Sequence, residues 1–505
     1  MTCCKNCSVQ KRWLIGIVVS LCAGAVPFAG EILTLVGIIV LTTLCVAQRI
    51  MPCSRKQDQE EQDSSSAPST GRVNDEATAS ADPSSNDYRQ QDEEKLGGTV
   101  IATEETIGSN PIERGSIRPR LHFLDNVKIF LTATVVTHHS ACAFGGCGHK
   151  SWFLMVGMYP NKFSSFAKAF TSIDQAYFMP LFFFISAYFV PPSHQAKGDK
   201  FLTDRARRLW IPAMLVTFVL IPICFLIGNF AGGLTPIAIP HPGQSWFLFW
   251  LLLLNWCYST LCNSTLSPWP LSKYCEQLPC TQHRMLAGLF VCGWGMLIVV
   301  GILVSNGSFG GMPLSTGSVT CNCFTFYIGI IARRNNWLDR PLRQQLDIAI
   351  WKLWLLVIVE GAAIVYLLPK ADTTPKGIGY AIAAFGVAGP FCLDTGIVVL
   401  DFFQTNLNSS NDLTRFLADA AYGVYLLHPL FIVLATSAFV WIHNAAIATT
   451  EDQYLSFRGF PAYSESHVVG GAATLALGWA SVVAVSQILV WPTAWGMKQA
   501  FPTIL

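Results

Sequence analysis

Residues 121–139 read LHFLDNVKIFLTATVVTHH, an apolar run interrupted by Asp125, Lys128, Thr132, His138 and His139. If the run is helical, Lys128 and His139 stand on one face about 16 Å apart along the axis, at 100° and 1.5 Å per residue. Asp125 and Thr132 lie near the same stripe, so a polar seam climbs an otherwise apolar helix. An ionisable group deep in a bilayer costs about 2.5–3.5 kcal/mol on insertion scales, and it is normally kept facing a bundle interior or a wet cavity. The plainer alternative is that Lys128 snorkels to an interface and the histidines only pack.

Working outward, nine more apolar segments follow, at 171–190, 209–230, 244–262, 285–304, 319–332, 349–368, 378–400, 417–440 and 468–492. Most are long enough as helices to cross a hydrocarbon core of about 30 Å. A β-barrel would show alternating strands of about ten residues, whereas these runs are continuous. The composition agrees: of 505 residues, 52% are apolar and 13% charged, against about 25% charged in soluble domains. The expectation is an all-α fold, a polytopic helical bundle of ten helices that is integral to a membrane. The lipid bilayer is its first partner, and a net charge of +2 gives no reason to expect nucleic acid.

Three zones divide the chain. Residues 1–52 contain the apolar stretch 13–47, broken at Gly30-Glu31 and flanked by Lys11, Arg12, Arg49, Arg55 and Lys56. They read as a membrane hairpin with both ends in the cytoplasm, or as a signal sequence followed by one span. Residues 53–117 are rich in Ser, Asp, Glu and Gln, too polar to offset their ordering entropy, and are expected to be a disordered cytoplasmic linker. Residues 118–505 form the membrane domain. With its first helix entering from the cytoplasm, Lys197, Lys200, Arg205, Arg207, Arg208, Arg333, Arg334, Arg340, Arg343 and Lys352 fall inside. Only Lys150, Lys162, Lys168, Lys370, Lys376 and Arg458 fall outside, a positive-inside distribution. The same orientation puts the sequon Asn306-Gly307-Ser308 outside.

Several polar groups inside the apolar runs are candidates for chemistry. Arg205 and Arg208 are spaced i, i+3 at the start of the third segment, on one helical face. Guanidinium groups suit bidentate phosphate contacts, although basic clusters also mark cytoplasmic helix ends. His428 sits within the ninth segment before Pro429, and Asp394 and Glu360 are embedded carboxylates able to orient an imidazole. The 17 cysteines show no spacing that specifies zinc, so no metal is expected. Cys3, Cys4 and Cys7 beside the first apolar stretch are palmitoylation candidates.

These stretches together resemble the acyltransferase 3 family, and within it the glucan biosynthesis protein C-like branch. The residues that carry the resemblance are Phe123 to Lys128 leading to His138-His139, Met179 to Phe189, Phe201 to Pro212, Gln244-Ser245-Trp246-Phe247-Leu248, and Ala421 to Pro429. The more specific parts are a basic residue ten positions before a histidine, met by Lys128 and His139, and Arg-x2-Arg, met by Arg205 and Arg208. Lys128 stands where arginine is common, Ser186-Ala187 where Ser-Gly is common, and residues 1–117 have no counterpart in the family core.

The resemblance, over about residues 119–495, implies a ten-helix acyltransferase core, here with one or two added N-terminal membrane helices. It implies His139 as the catalytic histidine, with Lys128, Arg205 and Arg208 serving the donor; beside them, Asp125, His138, Trp246, Asp394 and His428 are accessory candidates. The implied co-substrate is acyl-CoA, acetyl-CoA foremost, with no bound cofactor, and the acceptor is a hydroxyl of a carbohydrate or other molecule. His139 would act either as a general base or as an acyl carrier. A transporter of a small anionic or acylated molecule, or a non-catalytic scaffold, is the competing reading of the same polar seam.

Overall fold

The computed structural model describes residues 120–147, 152–156, 162–231, 238, 240–262, 308–309, 312–313, 318–346, 348–370, 374–446, 457–459 and 471–502. The expectations for residues 1–117, for the fifth apolar segment and for the sequon at Asn306 lie outside them. From Leu121 onward the described elements belong to one compact unit.

The apolar runs are helices. The first is α1 (His122–Ala143), followed by α2 (Lys162–Tyr188) and the short α3 (Val190–Lys197). α4 (Phe201–Leu215) continues through a π-helical turn at Val216–Leu220 into α5 (Ile221–Ala231). Then come α6 (Trp246–Cys262), α7 (Ser318–Arg334), α8 (Ile350–Leu367), α9 (Pro375–Asn406), α10 (Asp412–Ala446) and α11 (Ala472–Ala500). Nine of the ten expected segments are therefore helical, and the fifth is the one outside the described residues. Among the described residues, six helical stretches are long and apolar enough to cross a membrane.

Prolines 180, 212, 390, 429 and 492 lie inside these helices, a pattern that membrane helices tolerate because neighbours can satisfy the freed backbone groups. The outward faces fit a bilayer. α8 exposes Trp351, Trp354, Leu355, Ile358 and Val359, and α11 exposes Leu477, Val485, Ile488 and Leu489. In water such a continuous apolar surface would drive association. The protein is an all-α, multi-pass integral membrane protein.

With lipid outside, helices approach through small residues and close packing rather than through the hydrophobic effect. Gly329 on α7 lies against the Phe184 carbonyl of α2 with no room for a Cβ, and Gly423 on α10 lies against Ala494 on α11, where a Cβ would meet the alanine Cβ at 3.0 Å. Gly329→Ala is expected to lower stability by about 1–3 kcal/mol, the usual cost of overpacking, read as a reduced unfolding midpoint in detergent. A wild-type midpoint would show that α2 and α7 can separate freely.

One end of the bundle is tied by polar contacts. Asn126 Nδ2 near the start of α1 donates to the carbonyls of Leu407 and Ser409 at 2.7 and 3.0 Å, in the turn between α9 and α10. Phe123 N–H donates to Asn408 Oδ1 at 3.2 Å. Before α8, Arg343 makes a two-pronged contact to buried Asp401 at 3.1 and 2.9 Å. That hydrogen-bonded carboxylate holds the guanidinium above its ordinary pKa. At the opposite end, β1 (Leu154–Val156) follows α1 and pairs antiparallel with β2 (Phe457–Gly459), which precedes α11, in the register Leu154↔Gly459.

Candidate active site

The site begins with a dipeptide, His428-Pro429. Proline has no N–H, so the Tyr425 carbonyl that residue 429 would satisfy in an unbroken helix is left free. His428 Nδ1 lies 2.8 Å from that oxygen and donates to it, which leaves Nε2 of His428 as a bare acceptor. That atom is 3.1 Å from Nδ1 of His139, which is also 3.1 Å from the Val135 carbonyl. Both neighbours can only accept, so the network assigns the proton of neutral His139 to Nδ1 and its lone pair to Nε2. The backbone break at Pro429 thus determines which nitrogen of His139 is basic.

Other rings enclose the pair. His139 and His428 lie with centroids 4.9 Å apart, Trp152 stacks on His139 at 4.8 Å and 23°, and His138 meets it edge-on at 5.0 Å. His428 is fully buried, Trp152 is 5% exposed and His139 is half-buried. The Trp152 indole N–H is buried and has no hydrogen-bond acceptor among the described residues. Below the pair, the Tyr425 hydroxyl donates to the Gln244 carbonyl, and Ser245 shares a 2.9 Å hydrogen bond with Thr217. Trp246 is half-buried and packs on Phe183 at 6.5 Å. The stretch from Gln244 onward is therefore fixed against α10 one turn before His428.

His138 has a separate partner. Its Nδ1 is 2.7 Å from Asp174 Oδ1 on α2, and its Nε2 is 3.7 Å from Cys147 Sγ. Cys147 is disulfide-bonded to Cys142 in the last turn of α1. Neither Asp394 nor Glu360 is a hydrogen-bond partner of His138, His139 or His428. Glu360 lies on α8 and Asp394 on α9.

The basic residues gather at the end tied by Asn126. Lys128 Nζ is 3.2 Å from Asp125 Oδ1 and 4.9 Å from the centre of the Phe189 ring, so it is partnered and half-buried rather than extended toward lipid. Arg205 is half-buried over Phe201 at 5.3 Å, and Arg208 is exposed. The Arg208 carbonyl accepts from the Tyr422 hydroxyl at 2.6 Å. Tyr422 precedes His428 by six residues, about 9 Å along α10. Two helices thus lead from the basic end to the imidazole pair, α1 by way of Lys128 and His139, and α10 by way of Tyr422 and His428. An apolar cavity of about 70 Å³ lies between α2, α7 and α9, lined by Leu181, Phe184, Ile328, Leu393 and Ile397 among others. None of the predicted site residues lines it.

The structure therefore brings together three residues named from the sequence, His139, His428 and His138, and sets beside them three neighbours that the sequence reading did not name. Asp174 left a usable sign, as a carboxylate inside an apolar helix. Trp152 and the Cys142–Cys147 pair left none, because their importance comes from the fold-back after α1.

The lipid-facing bundle thus holds a hydrogen-bonded imidazole pair, His428 buried and His139 half-buried, linked to its basic end by α1 and α10. The acyltransferase domain family (Acyl_transf_3) matches residues 121–491. That covers well over half of the chain, which belongs to the acyltransferase 3 family and is a membrane acyltransferase. No curated protein and no solved structure matches it.

Proposed function

We infer that the enzyme transfers an acyl group, acetyl foremost, from acyl-CoA to a hydroxyl of a carbohydrate acceptor, with His139 as general base. The observation that carries this reading is the His428–His139 hydrogen bond, because it leaves Nε2 of His139 as an oriented, unprotonated atom in a mostly buried setting. That nitrogen takes the proton of the acceptor hydroxyl as its oxygen attacks the thioester carbonyl. His428 Nε2 and the Val135 carbonyl continue to accept from Nδ1 and stabilise the imidazolium. The tetrahedral intermediate collapses, the carbon–sulfur bond breaks, and the proton passes from His139 to the departing thiolate. An ester and free CoA are the products. The vacant Trp152 N–H is suited to donate to the developing oxyanion, the interaction that most lowers an acyl-transfer barrier.

At the other end, Arg205, Arg208 and Lys128 form a cationic entrance suited to the phosphates of the donor. The positive-inside distribution puts that entrance in the cytosol. The donor would then extend its pantetheine arm inward along the seam toward His139.

The test is turnover of purified protein with acetyl-CoA and a panel of neutral glycans, following free thiol release and acetylated product. Product dependent on acceptor is expected, and thiol release that no hydroxyl acceptor accelerates would refute the reading. Replacing Arg205 and Arg208 together by Ala should raise the KM for acyl-CoA about 10–100-fold, as loss of charged hydrogen bonds of 1.5–3 kcal/mol implies, with kcat little changed. An unaltered KM would leave the arginines with a purely topological role.

A further inference from the structure

Beside the imidazole pair lies a second cluster with different chemistry. The imidazole of His138 and the sulfurs of Cys142 and Cys147 place their ligating atoms within 4.8 Å of one another. His138 and Cys142 are i, i+4 on α1 and so share a face. Cys147 is brought back by the turn that ends the helix, where Gly146 N–H donates to the Ala141 carbonyl at 2.8 Å. The turn is fixed to α2 by Thr171, whose hydroxyl donates to the Gly146 carbonyl at 2.7 Å. A Cβ on residue 146 would meet the Ala141 oxygen and Thr171 Cγ2 at 2.9 Å each, so glycine is needed for the close approach.

The orientation of His138 is that of a metal ligand. Its Nδ1–H donates to Asp174 at 2.7 Å, which leaves the Nε2 lone pair facing the sulfurs. A carboxylate on the far nitrogen is the usual outer support of a ligating imidazole. Asp174 is 3% exposed, and its second oxygen is buried with no hydrogen-bond partner among the described residues, a carboxylate well placed to compensate a nearby cation. In a tetrahedral zinc site, bonds of about 2.0–2.1 Å to nitrogen and 2.3 Å to sulfur set those donors about 3.5 Å apart. Here His138 Nε2 and Cys147 Sγ are 3.7 Å apart.

We propose that the Cys142–Cys147 disulfide is one of two states of this cluster, and that in the reduced state Cys142, Cys147 and His138 bind a zinc ion. A dithiol, itself oxidised to a disulfide, delivers two electrons and two protons to the sulfurs, breaking the S–S bond and giving two thiols; a phosphine does the same with water, ending as its oxide. Each thiol then loses its proton as its sulfur–zinc bond forms. Two thiolates and one imidazole select a borderline-soft ion over magnesium or calcium, and three protein ligands leave a fourth position open, as in reactive rather than closed zinc sites.

The test uses the full chain in detergent, reduced with a phosphine, freed of metal and titrated with Co²⁺ as a coloured substitute for zinc. One equivalent should produce a thiolate-to-cobalt charge-transfer band and tetrahedral ligand-field bands that added zinc abolishes. The oxidised protein and a Cys142→Ser, Cys147→Ser variant should lack them. Asp174→Asn keeps the ligand set and should weaken zinc binding about 10–100-fold, the usual effect of losing an outer-shell partner. In the unmutated protein, zinc should slow alkylation of Cys142 and Cys147 as read by peptide mass spectrometry. Absent bands in the reduced protein, bands that survive the double serine substitution, or alkylation indifferent to zinc would each overturn the proposal. None of these readouts involves acyl-CoA or an acceptor, so they stand or fall separately from the acyl-transfer reading.

Discussion

His139→Ala is expected to reduce kcat about 10²–10⁴-fold, the range attributed to a positioned general base, with the KM for the donor near its original value. The proposed donor contacts are Lys128, eleven residues before His139 on α1, and the arginines of α4, so removing the imidazole should leave that grip in place. The variant should fold, because His139 is only half-buried and its two hydrogen bonds are short-range or shared with His428. His428→Ala should cost less, since His139 keeps its bond to the Val135 carbonyl at 3.1 Å and loses one of two constraints on its tautomer. Combining the two substitutions should cost little more than His139→Ala alone, because groups that act as a unit are strongly non-additive. Full turnover in the His139 variant, with binding intact, would remove this residue from the chemistry and leave the pair as packing.

Trp152→Phe is expected to lower kcat about 10²–10³-fold, the cost of deleting one oxyanion donor. The substitution separates the ring of the indole from its N–H. Phenylalanine still offers a ring to stack on His139, so the packing at 4.8 Å is largely kept, while the N–H is lost. The effect should fall on kcat with little change in KM, because the donor group engages a charge that develops only as the bond forms. Trp152→Ala should be worse, since it also opens a cavity beside the histidine. A Phe variant close to wild type would assign the indole to packing and leave the oxyanion to another group.

Much of the fold was legible because lipid imposes strict rules on sequence. A continuous apolar run must be a helix, so α1, α2, α4–α5 and their successors follow from composition, with errors confined to their ends. α10, for example, begins at Asp412 and ends at Ala446 where hydropathy alone marked 417–440. The helices reach beyond the apolar core because polar residues such as Asp412 and Asn444 continue them where hydropathy has already fallen. The Lys128–His139 stripe was legible for the same reason, since helical periodicity fixes relative direction within one element.

Pairing between elements was not legible. The carboxylates that sequence put forward to hold an imidazole were Asp394 and Glu360, yet the partner of His138 is Asp174, 36 positions downstream on a different helix. The partner of His139 is a second histidine 289 positions away. Periodicity says which way a side chain points, not which helix stands opposite it. Nor does it reach Trp152, whose place depends on the chain reversing after α1.

The two short strands at that end have a further meaning. Because Met155 lies opposite Arg458 and Val156 opposite Phe457, the segment bearing Trp152 is not an independent flap. It is laced to the approach to α11, so the wall beside His139 is assembled from both halves of the chain. A change of sequence at 457–459, some three hundred residues from the indole, is therefore a change to the wall that holds Trp152 beside His139.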